Sequence, residues 1–145
     1  MSLWEWAVSA YQSDEVPDIC LRLQDDFGQN TSLLLWAIWG APKGAELEQG
    51  AGIARSWDSR VLSPLREARR NLRESQPPVG DRAREELREE IMTAELLAER
   101  VLMETLETLA PRGSGNPLEA VEAASAAWGK TAPREALQQL TAAVA

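Results

Sequence analysis

Gln24, Asp25 and Asp26 stand side by side, with Asn30 four residues beyond the second aspartate. Carboxylates and amides are the groups that bind a cation or move a proton in a catalytic site. The spacing argues against a shared grip. Successive helical residues diverge by about 100°, so adjacent aspartates point apart, whereas side chains that meet are three or four residues apart. The plain reading is of solvated carboxylates pairing with Arg22, and of Asn30 as a helix cap. The alternative is a polar site at the Asp26–Asn30 helix junction. There Gln24, Asp26 and Asn30, with nearby Arg69, would hold a small anionic ligand or serve an enzyme that works without histidine.

A second cluster is cationic. Arg66, Arg69, Arg70 and Arg73 share one arc of a helix whose apolar line is Val61, Leu65, Ala68 and Leu72. Guanidinium groups so arranged suit an acidic protein surface or a phosphate. They also suit internal pairing with the glutamates at 85, 86, 89, 90, 95 and 99. Both readings stay open at this level.

Composition narrows the chemistry. The 145 residues include no histidine and one cysteine. The usual general base near neutral pH is therefore missing, as is the commonest metal ligand. Cys20 falls on an apolar stripe and reads as an inert core thiol. Glu95 and Glu99 lie one helical turn apart, but a carboxylate-bridged iron pair would add histidines. GAGIAR lacks the third glycine and the preceding strand of a dinucleotide loop. No cofactor and no metal are expected. A net charge of −8 disfavours nucleic acid and anionic membrane surfaces. The apolar run Leu33 to Trp39 is too short to insert into a membrane, and MSLWEWAVSAY lacks the basic start of a signal peptide. A reducing, cytoplasmic setting is expected.

These residues sit on a chain with helical period nearly throughout. Ser2 is placed to cap a first helix. Val16, Ile19, Cys20, Leu23 and Phe27 form the stripe of a second, which Gly28 stops. The LLLWAIW segment is apolar on every side, and so is expected at the centre of the core, ended by Gly40 and Pro42. Trp36 and Trp39 there each need a partner for the indole N–H. Gly50 and Gly52 weaken the next segment. Pro64 either starts a helix capped by Ser63 or kinks one begun at Asp58. After the break at SQPPVGD, one long helix carries a seam of Leu87, Ile91, Ala94, Ala98, Val101, Thr105 and Leu109, fit for antiparallel packing or a homodimer. Two short alanine-rich helices after PRGSGNP read as weakly anchored.

The combination of LWEWA, Tyr11, CLRLQDDFGQN, LLLW, Trp57, Val61 and PLREARRNL resembles a bacterial family of small uncharacterised helical proteins, over about residues 3–73. That family often has Val-Asn where this chain has Thr31-Ser32. The resemblance implies a bacterial cytoplasmic protein, brings no activity or catalytic residue, and makes the part after Pro77 a variable appendage.

The expected fold is all-α: a single-domain helical bundle with a buried central apolar helix and one long amphipathic helix. Residues 1–75 form the compact unit, with residues 81–145 packed on it. The expected function is that of a non-enzymatic interaction or regulatory protein with a protein partner, the junction site being the alternative.

Overall fold

Glycine, proline and short polar side chains divide the chain into helices, and the computed structural model describes all of them from Met1 to Ala145. Helix α1 (Leu3–Ala10) opens with a reciprocal cap: the Ser2 hydroxyl accepts from the Glu5 N–H, and the Glu5 carboxylate accepts from the Ser2 N–H. Helix α2 (Val16–Phe27) ends at Gly28, whose φ of +62° is open to glycine at little cost. Asn30 caps α3 (Thr31–Gly40), its Oδ1 accepting from the Leu33 N–H at 3.0 Å.

Helix α4 (Ala45–Trp57) runs without interruption through a π-helical turn (Asp58–Leu62) into α5 (Ser63–Asn71). Pro64 is therefore neither the start of a separate helix nor a kink in one begun at Asp58. Its ring would meet the Arg60 carbonyl in a regular α-helix. The wider turn, in which the Ser63 N–H reaches the Asp58 carbonyl, absorbs that conflict. Helices α6 (Asp81–Leu109), α7 (Pro117–Trp128) and α8 (Arg134–Ala143) complete the all-α architecture. No helix is long and apolar enough to cross a membrane.

Helix α3 is the centre, and every residue from Ser32 to Gly40 is buried. It packs against α7, α6, α4, α1 and α2. The Trp36 ring fits because residue 50 is glycine: a Cβ there would lie 2.4 Å from the ring. Gly50 thus gives up helix propensity for close packing. The Trp36 indole donates to the Ala110 carbonyl at 3.2 Å, whereas the equally expected partner for Trp39 does not exist, and its buried N–H meets no acceptor.

The C-terminal helices correct the sequence reading. Helix α7 lies directly on α3 and α4, with Ala120, Val121, Ala124 and Ser125 buried. Alanines that looked like weak anchors are what permit so close an approach. Leu137 and Leu140 of α8 are buried too.

The long helix has two regimes. Its C-terminal half enters the core through Ala98, Leu102, Met103 and Leu106. Val101 and Thr105, expected in the seam, are exposed. Beyond Ala98 the buried line runs on in steps of four, to Leu102 and Leu106, instead of taking the step of three to Val101. Its N-terminal half pairs with α5 as a hairpin arm, and from Ser63 to Leu97 no residue is buried.

Candidate functional site

The junction between α2 and α3 is polar and mostly spoken for. Asn30 caps α3 and its Nδ2 donates to Asp58 Oδ2 at 3.0 Å; Ser63 Oγ donates to the other carboxylate oxygen at 2.5 Å. The π turn is thereby tied to the helix cap. Gln29, singled out by nothing in the sequence, is 3% exposed. Its amide donates to the carbonyls of Phe27 and Lys130, and its oxygen accepts from Ser125. Asp26 lies outside this network, exposed, with Arg22 at 4.0 Å. Gln24 is half-buried and forms no side-chain hydrogen bond. Asn30 is thus brought together with Asp58 and Ser63, and not with Gln24 or Asp26.

The four arginines part company. Arg69 Nε donates to both Glu95 oxygens, at 2.8 and 3.0 Å, in a mostly buried pair. Arg66 acts on Glu99 by charge without a close ion pair. Arg70 reaches across to Asp25 of α2 at 3.7 Å. Arg73 is exposed, and its carbonyl receives a hydrogen bond from Arg84. The arc is in part an internal clamp between α5 and α6.

Trp4 and Trp6, which the sequence offers either as packing or as the lining of a groove, are separated by the structure: Trp4 lines one and Trp6 does not. Helices α1 and α6 leave a groove of about 350 Å³ lined by Trp4, Val8, Tyr11, Leu96 and Met103, with Glu99 among them. Pockets of this size and apolar character are those that take ligands. The capping box sets the start of α1, and Glu107 of α6 accepts from the Leu3 N–H at 2.5 Å, fixing one wall against the other. Arg100 lies over the Trp4 ring at 5.6 Å. Burial raises the Glu99 carboxyl above its ordinary value, Glu95 adds to this, and Arg66 and Arg69 oppose it. The inward hydroxyl of Tyr11 faces Cys20 and Thr31, and burial pushes both the phenol and the thiol up. Such a thiol is held unreactive. The available signal was the pattern Trp4, Val8, Tyr11, whose apolar side chains cover more of the helix than one stripe can bury.

A second hollow, of about 540 Å³, opens beside the π turn among Gly28, Arg55, Asp58, Ser63, Trp128 and Lys130. Trp128 donates to the Gly28 carbonyl at 2.7 Å, and Arg55 to the Ala127 carbonyl. Nowhere in the molecule do three or more Cys, Asp or Glu side chains converge as a metal site would require.

A family model described as protein of unknown function (DUF2390) matches residues 2–106. The chain belongs to this family. The DUF2390 match runs well past the expected limit near residue 73 and takes in the arm and most of α6, so both walls of the groove fall within it. Helices α7 and α8 lie beyond it. No curated protein and no solved structure matches the chain.

Proposed function

We propose that this protein is a non-enzymatic interaction protein, of bacterial and cytoplasmic setting, that docks an amphipathic helix of a protein partner in the α1–α6 groove. The observation carrying this reading is the groove itself, whose rim keeps Val8, Tyr11 and Leu96 in water, Leu96 with 55% of its surface. An apolar helical ridge is the occupant that fills such a slot. Its chemistry follows from charge. Glu99 lines the groove without a close ion pair, and the chain carries −8 overall, so a lysine or arginine beside the ridge completes the fit. Nucleic acid and anionic membranes are disfavoured by the same charge.

The test is photocrosslinking in a bacterial host from residue 96, with residue 89 on the outer face as control, followed by sequencing of the captured segment. The expected segment has apolar residues at helical spacing and a basic residue beside them. Capture should vanish in Val8→Glu, and Glu99→Gln should remove the preference for the basic residue. Capture no better than at residue 89, or segments without apolar periodicity, overturns the reading.

A second reading rests on the hollow beside the π turn. Arg55 and Lys130 belong to no ion pair, and Trp128 supplies an aromatic wall. This would hold a small anion, although Asp58 in the same wall opposes it. Titration with inorganic phosphate, read by amide shifts at residues 55 and 130, supports this reading if saturable and refutes it if absent.

A further inference from the structure

We propose that the arm of one chain pairs antiparallel with the arm of a second copy along α6. The starting point is an incomplete burial. From Ser63 to Leu97 no residue is fully buried, and Leu87 keeps 52% and Leu97 60% of their surface in water. Packing is the source of most helical stability in proteins, and the outward side of α6 has none.

The outward residues have an order. Ala83, Leu87, Glu90, Leu97 and Val101, all exposed, and the half-buried Ala94 fall on one line in steps of four, three, four, three and four, the spacing of a two-helix seam. This line differs from the core line of Ala98, Leu102 and Leu106 and from the groove wall of Leu96, Glu99 and Met103.

Charge and shape select a second copy as the occupant, with the two-fold axis near Met92. Leu87 then meets the partner's Leu97, Val101 meets the partner's Ala83, and the flanking Glu86 faces the partner's Arg100. A two-fold axis repeats each of these contacts. The ion pairs that Glu86 and Arg100 now make are exposed and on their own helix, with Arg82 at 3.3 Å and Glu104 at 2.8 Å, weak enough to exchange, while Arg100 also lies over the Trp4 ring. The same register brings the arm tip, with its exposed Val79, beside the partner's hollow of about 280 Å³ lined by Ile53, Trp57, Val101 and Thr105. Glu90 is the one charged member of the seam and weakens the pairing.

Sedimentation equilibrium on the full chain tests this. The wild type should be a reversible dimer and Leu97→Glu a monomer with unchanged circular dichroism. Glu86→Arg and Arg100→Glu should each weaken association by about tenfold, a typical coupling for a charge pair. The double exchange should recover most of the loss, and Glu90→Leu should tighten the dimer. For the register, Leu87→Cys with Leu97→Cys should oxidise to a covalent dimer, and Leu87→Cys alone should not. A wild type that stays monomeric at its highest soluble concentration overturns the proposal. So does a Leu97→Glu variant that still dimerises, a double exchange that recovers nothing, or crosslinking by Leu87→Cys alone.

Discussion

Helix α3 and the α5–α6 arm are built on opposite principles. Helix α3 has no polar face and is enclosed on every side, whereas the arm spans more than three times as many residues and buries none of them. The core is held by apolar contact. The arm adds polar clamps to the half-buried Leu65, Leu72 and Ile91: Arg69 on Glu95, and Arg84 on the carbonyls of Leu72 and Arg73 at 2.5 and 3.0 Å. The contrast teaches where specificity resides. A buried helix is fixed by volume and tolerates no new charge, while the clamped arm leaves Leu87 and Leu97 largely in water.

The comparison breaks most visibly at Leu35, which is fully buried. Leu35→Asp places an uncompensated carboxylate there at a cost of several kcal/mol, about the whole stability of an ordinary domain. Circular dichroism should show an unfolded chain, and a cooperative melt near the wild-type temperature would remove α3 from the centre. Gly50→Ala comes next. Alanine raises helix propensity by about 1 kcal/mol, yet its Cβ would lie 2.4 Å from the enclosed Trp36 ring. Overpacking of that kind costs about 1–3 kcal/mol, so denaturant titration should show a net loss, and a gain would mean that the ring has room.

On the arm the effects shrink. Arg69→Ala should cost about 1 kcal/mol, above the usual value for an exposed pair because this one is largely covered. A double-mutant cycle with Glu95→Gln should recover most of that energy as coupling, and additivity would show that the clamp contributes nothing. Glu99 gives the smallest effect, with a defined sign. Burial raises its pKa in the folded protein above 4.5, so the folded state binds the proton more tightly than the unfolded one. Stability from this group is full below 4.5 and declines as pH rises through the folded value. Glu99→Gln removes that slope, so its melting temperature relative to wild type should climb between pH 4.5 and neutrality. A flat difference would place Glu99 in water.

Core and arm also differ in what sequence alone could say of them. The LLLWAIW run, the Ser2 and Asn30 caps and the stop at Gly28 were readable because each is local, depending on residues within one turn. Gln29 was not, because its partners, Lys130 and Ser125, are about a hundred residues away. The need of Trp36 for an acceptor was readable, but not which one: Trp36 donates to Ala110, and Trp57 and Trp128 likewise donate to distant carbonyls, of Ala98 and Gly28. The polar residues drew attention first, and Asp26 and Gln24 proved peripheral to any network. The groove's second wall was hidden, because α6 lies about ninety residues from α1 in sequence.

The π turn has a consequence for how this helix can change. A turn from Asp58 to Leu62 that closes on five residues holds one residue more than a regular helix needs, and each residue advances the phase by about 100°. Everything beyond it is therefore clocked. Removing a single residue there would leave α4 in place and swing α5 through more than a quarter of a revolution, carrying Arg69 away from Glu95. In this chain, length at that turn acts as a gear, setting which side chains the arm presents without altering any residue it contains.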